Sequence, residues 1–249
     1  MFKEYLTLLL LGHIIADFYT QTAKAAEKKK EKIKWVFIHG LLYFLTMVVI
    51  SVPVLSIHIL ALDVAASILH FVIDIGKFLF LKRSGRSENA TVFVIDQISH
   101  FICLFILSYA WTKMNVQIKE IPVVLDFFCT TDISEQLVCN WILGLLIVHK
   151  PANILIQKLI SPYKPKAEKE EIKEKDNNVG RVIGTAERIV MLILIYMNQY
   201  SAIGLVLTAK SIARYDRITK DEKFAEYYLL GTLISAGIVI VCAAMLFGG

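Results

Sequence analysis

Residues 58–81, HILALDVAASILHFVIDIGKFLFL, read as one membrane-crossing helix that carries Asp63, His70, Asp74 and Lys77 in its apolar body. About 20 apolar residues cross roughly 30 Å of hydrocarbon. An ionisable group at the centre of such a helix costs about 2.5–3.5 kcal/mol on insertion scales, so several in one span imply an interior polar site with partners. Asp63, His70, Asp74 and Lys77 recur at helical spacing and form one stripe.

The same pattern returns in the neighbouring apolar segments. Residues 4–24 hold His13, Asp17 and Gln21, residues 34–54 hold His39, and residues 91–112 hold Asp96, Gln97 and His100. Further spans are read at 138–160 and within 179–247. The chain is 56% hydrophobic over 249 residues, and its mean hydropathy of +0.59 exceeds that of an ordinary soluble domain. The apolar residues fall in long blocks rather than the short alternating segments of a membrane β-barrel. The expected fold is therefore all-α, a polytopic transmembrane bundle of about eight helical segments.

The net charge of +5 does not suggest a nucleic-acid partner, because the cations sit in loops between spans, where they determine topology. Lys24 to Lys34 contains six lysines, and Lys82, Arg83 and Arg86 mark a second basic loop. Loops 24–34 and 82–90 are expected in the cytoplasm and the N-terminus outside, in a bacterial inner membrane. His13 and Asp17 in the first span argue against a cleaved leader, so that helix is expected to remain.

Four domains follow: 1–112, a four-helix bundle with a His/Asp core; 113–163, an outer loop and fifth span; 164–178, a charged cytoplasmic linker; and 179–249, a helical hairpin folded about Asn198 to Ser201, with a last span. The hairpin keeps both flanking basic stretches on one side.

Depth along the helices brings the stripes together. At about 1.5 Å per residue from the basic loops, Asp17, Asp74 and Asp96 lie roughly 9–12 Å deep, His13, His70 and His100 roughly 15–18 Å, and His39 about 8 Å. Imidazole and carboxylate are the ligand set of zinc, manganese or iron. The candidate metal ligands are His13, Asp17, His70, Asp74, Asp96 and His100. Gln21, His39 and Asp63 are expected behind them, with Lys77 and Gln97 as catalytic groups steadying negative charge.

Three readings fit this pattern. The first is a metal-dependent hydrolase acting on a membrane-associated or phosphate-containing substrate. The second is a metal-ion or proton transporter using the same residues as a relay, and the third a non-enzymatic partner or sensor subunit whose polar core is structural. Oligomeric state is not legible. Arg181, Glu187, Arg188, Lys210, Arg214 and Glu226 form a separate polar group, read as ion pairs or as a holder of a phosphate or lipid headgroup. Cys129 and Cys139, both expected outside, are a candidate disulfide if that compartment is oxidising. Neither a phosphate-binding Gly-rich loop with its lysine nor a Gly-x-Ser-x-Gly motif occurs, which removes support for nucleotide-driven transport and serine hydrolysis by those routes.

Taken together, His13-Ile-Ile-Ala-Asp17-Phe-Tyr-Thr-Gln21, His39-Gly40, His70-Phe-Val-Ile-Asp74-Ile-Gly-Lys77, Asp96-Gln97-Ile-Ser-His100 and Ile183-Gly184-Thr-Ala-Glu187-Arg188 resemble a bacterial membrane family catalogued as domain of unknown function 3307. The resemblance implies the membrane fold and no activity, and it extends sparsely through Ala209 to Arg214 and Glu226 to Thr232. A fainter similarity, in residue types alone, is to predicted membrane-bound metal-dependent hydrolases.

Overall fold

A computed structural model describes residues 1–85, 87–164 and 174–248, with backbone alone for 174–179. Arg86 and most of the charged segment read as a linker at 164–178 lie outside the described residues. Those described form eleven α-helices and no strand. Helix α1 (Phe2–Ile14) runs on as a π-helical stretch, Ile15–Thr20. It is followed by α2 (Ala23–Glu31), α3 (Ile33–Ser51), α4 (Ile57–Ser84), α5 (Ala90–Lys113), α6 (Pro122–Thr131) and α7 (Glu135–Ile160). The remaining helices are α8 (Glu174–Tyr196), α9 (Tyr200–Ile212), α10 (Tyr215–Lys220) and α11 (Glu222–Phe247).

The count exceeds the expected eight because α2, α6 and α10 occupy stretches read as loops. Each has a local cause or stop. Thr22 caps α2 by accepting the Ala25 N–H at 3.2 Å, Pro122 opens α6 at a position that needs no N–H donor, and Asp132 ends α6 in the left-handed conformation. The break between α8 and α9 falls at Met197 to Gln199, where Asn198 has φ 57°; it overlaps the turn expected at Asn198 to Ser201.

Among the described residues, five helical stretches are long and apolar enough to span a bilayer: Ile33–Val54, Ile57–Ser84, Ala90–Lys113, Glu135–Tyr163 and Glu222–Phe247. Their burial is inverted relative to a water-soluble bundle. In α3 the apolar stripe Phe37, Leu41, Leu45 and Val49 is exposed, with Leu41 at 61%, whereas His39 is 4% exposed. The stripe Val64, Ile68 and Val72 in α4 and the stripe Ile95, Ile102 and Tyr109 in α5 also face outward. A surface of this kind belongs in hydrocarbon, where a helical span pairs its interior backbone groups within itself.

The chain divides into two compact units, Met1–Leu143 and Gly144–Gly249, with the boundary inside α7. In the first, α1 packs on α3 and α5, and α4 packs on the same two helices, so α1, α3, α4 and α5 close a four-membered ring. Its apolar layer is built on Tyr5, Leu9, Tyr43, Met47, Ile59, Leu62 and Leu104. At Gly12 a Cβ would stand 2.3 Å from Met47 Sδ; the missing side chain lets α1 and α3 approach closely, as small residues do between membrane helices. Gln136 Nε2 donates to Thr7 Oγ1 at 2.8 Å and to Asn140 Oδ1 at 2.7 Å, tying the start of α7 to α1.

Helix α4 stops at Gly85, whose φ is 63°, a left-handed cap that glycine adopts without a Cβ penalty. Gly85→Ala is expected to lower stability by about 1 kcal/mol, read as a fall in the thermal midpoint of detergent-purified protein with the far-ultraviolet spectrum unchanged.

In the second unit α8 packs on α9 and α11, and α10 packs on α11. Asp221 caps α11 by accepting the Phe224 N–H at 3.0 Å. All four cysteines are free thiols, so Cys129 and Cys139 do not pair in this structure.

Candidate metal centre

The i, i+4 spacing of His13/Asp17, His70/Asp74 and Asp96/His100 places each histidine and acid on one face, and ring closure turns those faces, and His39 on α3, inward. His13, His39, His70, Asp74, Asp96 and His100 are all buried. Asp17 sits in the π-helical stretch after α1, a local widening of the helix that recurs at functional sites.

At the centre, His39 Nε2 and His70 Nε2 face each other at 3.1 Å. Asp17 Oδ1 lies 3.1 Å from the first and 3.4 Å from the second. Asp74 Oδ2 lies 3.6 Å and 3.3 Å from the same two nitrogens. Two triangles therefore share the His39–His70 edge, each with two imidazole nitrogens and one carboxylate oxygen. Ligands on a tetrahedral zinc with bonds of about 2.0–2.1 Å stand roughly 3.3 Å from one another, so each triangle has the dimensions of one face of such a site.

The cluster extends to both sides. His13 Nδ1 lies 4.0 Å from Asp17 Oδ2 and 3.4 Å from the Tyr43 hydroxyl. The Tyr43 ring stacks on His70 at 3.8 Å, and His70 stacks on His100 at 4.3 Å. His100 Nε2 and Asp96 Oδ1 are 3.7 Å apart, both buried and neither hydrogen-bonded. Among the described residues, three groups bring one ligand atom per residue within 4.8 Å of the others: His13/Asp17/His70, His39/His70/Asp74 and Asp74/Asp96/His100. His70 and Asp74 each belong to two of them.

Lysines compensate part of the buried charge. Lys29 Nζ from α2 meets Asp74 Oδ2 at 2.6 Å. Lys77 Nζ bridges Asp96 Oδ2 at 3.0 Å and Glu88 Oε1 at 2.7 Å, and Lys30 Nζ reaches Glu88 Oε2 at 3.3 Å. Asp17 is the acid of the cluster that no lysine reaches among the described residues; its ionic partners are His13, His39 and His70. Placing a carboxylate in a dry interior with only imidazoles around it is costly unless a cation or proton joins them.

All six proposed ligands from the sequence come to this layer, and His39, expected behind them, stands among them. Lys77 and Gln97 both contact Asp96, Gln97 Nε2 donating to Oδ2 at 3.4 Å. Asp63 is apart from the cluster: Ser51 Oγ donates to its Oδ1 at 3.1 Å, and its Oδ2 has no hydrogen bond. Gln21 terminates the π-helical stretch in extended backbone and contacts none of these groups among the described residues. Lys29, Lys30, Glu88 and Tyr43 were not singled out from the sequence. Lys29 and Lys30 look like topology determinants there, and nothing local in the sequence ties them to acids on α4 or before α5.

Residues 5–127, which contain every side chain of the cluster, match the family described as a protein of unknown function, DUF3307. Over this region the chain is similar to DUF3307. The DUF3307 match covers α1 to α5 almost entirely and ends within α6, so Gly184, Glu187, Arg188 and the later motifs lie beyond it. No curated protein and no solved structure shows a match to the chain.

Proposed function

We propose that the DUF3307 region holds a divalent metal ion between His39, His70 and the carboxylates of Asp17 and Asp74, and serves hydrolysis of a membrane-associated or phosphate-containing substrate. The observation that carries this reading is the His39–His70–Asp17 triangle, with edges of 3.1, 3.1 and 3.4 Å, on an acid that no lysine neutralises. Zinc, manganese and iron all accept this ligand set. Such an ion, when bound, would lower the pKa of a coordinated water and polarise a phosphoryl oxygen. The chain's own groups hold the surroundings: Tyr43 and His100 fix the plane of His70 by stacking, while Lys77 and Gln97 hold Asp96. We place the protein in the bacterial inner membrane with the Lys24 to Lys34 side in the cytoplasm, so that the α2 side of the cluster faces the cytoplasm.

Elemental mass spectrometry on detergent-purified protein is expected to find about one divalent ion per chain, with loss of most of it in Asp74→Asn/His100→Ala. Equal metal in both proteins would defeat the assignment. The same residues also form a chain of contacts, Lys29–Asp74–His70–Asp17–His13, in which no step exceeds 4.0 Å, and this favours proton relay as the second reading. Proton flux in proteoliposomes that vanishes in Asp17→Asn, from protein without metal, would select the relay.

A further inference from the structure

A second polar chamber lies wholly within the C-terminal unit and has chemistry unlike the first. It is a cavity of about 830 Å³ lined by six cationic side chains, Lys164, Arg181, Arg188, Lys210, Arg214 and Arg217, and by one carboxylate, Glu187. Lys210 Nζ pairs with Glu187 Oε2 at 2.7 Å, the one carboxylate among the described lining residues.

Arg188 is the central observation. It is 2% exposed, and all its hydrogen bonds go to neutral oxygens. Nε donates to the Val148 carbonyl at 2.6 Å, Nη1 to Ser235 Oγ at 3.3 Å, and Nη2 to Asn153 Oδ1 at 2.7 Å and Thr185 Oγ1 at 3.3 Å. A buried guanidinium without a carboxylate is incompletely compensated. Four of its five N–H donors are used, and the remaining one is on Nη1. Two further polar groups in the lining lack partners among the described residues: the Tyr228 hydroxyl and Thr232 Oγ1 are buried and make no hydrogen bond. They stand one turn apart on α11, so both project from the same face.

Hydroxyl donors beside guanidinium groups suit the several acceptor oxygens of a phosphate, which takes forked, charge-assisted hydrogen bonds from arginine. The chamber is larger than a bare phosphate requires and lies in the range that accommodates an organic ligand. Ile156, Ile160, Ile183 and Phe224 contribute apolar wall, and Arg217 lies over the Phe224 ring at 4.1 Å. We propose that this cavity binds a phosphate-bearing anion, with Arg188 and Arg214 as its principal cationic contacts. A lipid headgroup and free phosphate are the two sources of that chemistry, and basic pockets between membrane helices hold headgroups by the same means.

The test is thermal unfolding of the full chain in neutral detergent at matched ionic strength, with dihexanoyl phosphatidic acid, dihexanoyl phosphatidylcholine, inorganic phosphate or chloride. Phosphatidic acid is expected to raise the midpoint saturably, and Arg214→Gln and Arg188→Lys are each expected to raise the half-saturating concentration by about tenfold or more. Arg214 is exposed, so its variant keeps the fold even if the Arg188 variant does not, and it then carries the test alone. Inorganic phosphate reproducing the shift would identify free phosphate as a sufficient ligand; a shift with phosphatidic acid alone would identify the headgroup. No shift with either probe, an equal shift with phosphatidylcholine, or an unchanged shift in Arg214→Gln overturns the proposal.

Discussion

Replacing His70 with alanine is expected to bring bound metal from about one ion per chain to background while the helical content holds. His70 is the shared member of His13/Asp17/His70 and His39/His70/Asp74, so its loss opens both groups together. Removing an outer-sphere partner of a metal site weakens binding roughly 10–100-fold, and removal of a nitrogen at the centre should exceed that range. The third group, Asp74/Asp96/His100, stays intact in this variant and sets the residual affinity. His100→Ala, which spares the two groups around His70, is expected to weaken retention less. Equilibrium dialysis against a competing chelator, read by elemental analysis, ranks the three proteins. Metal retention in His70→Ala equal to that of wild type would remove the central triangle from consideration.

The second large effect is on stability. Lys77→Met leaves Asp96 and Glu88 facing each other's site without the ammonium that bridges them at 3.0 and 2.7 Å. Lys77, Asp96 and Glu88 have side-chain exposures of 19%, 7% and 9%, so solvent screens the loss only partly. Removing one partner of a buried pair costs about 3–5 kcal/mol, chiefly because the other charge stays unpaired. Here Lys30 still reaches Glu88 at 3.3 Å and Gln97 still donates to Asp96, which places the expected loss near 3 kcal/mol, at the lower end of that range. Lys77→Met/Asp96→Asn should recover part of it, since the second change removes the stranded charge. Denaturant unfolding in detergent, followed by tryptophan fluorescence, supplies all corners of the cycle; a double variant as unstable as the sum of its singles would show that the two groups do not interact.

Much of the cluster was legible because it rests on local periodicity. His13/Asp17, His70/Asp74 and Asp96/His100 are i, i+4 pairs, and a helix puts such pairs on one face whatever surrounds it. Depth counting then brings the faces to one layer. His39 had no acid one turn away, so its place depended on how close α3 comes to α4. Gly40 permits that approach: a Cβ there would stand 2.9 Å from Phe71 Cδ2. Asp63 shares a stripe with His70, but it lies two turns off, roughly 10 Å along the helix, where Ser51 binds it.

The partners of the lysines were not legible for a related reason. A run of lysines between two apolar segments has an adequate explanation in topology, and no local pattern distinguishes one that is solvated from one that folds back. The Thr22 cap turns α2 so that Lys29 and Lys30 meet Asp74 and Glu88, residues 45 and 58 positions away in the chain by subtraction of the numbers.

By itself the sequence determined that the chain is helical, with apolar helices long enough to span a membrane, and that histidines and acids lie on the inner faces of the segments that become α1, α3, α4 and α5. Those properties follow from the period of the helix and the cost of charge in hydrocarbon, both readable over a few turns. Only the tertiary structure decided that His39 faces His70, that Lys29 and Lys77 hold Asp74 and Asp96 while Asp17 has only imidazoles, and that Arg188 is buried among neutral acceptors. Each of these depends on the order and closeness of helices around a ring or within the second unit, and that order arises from packing between segments distant in the chain.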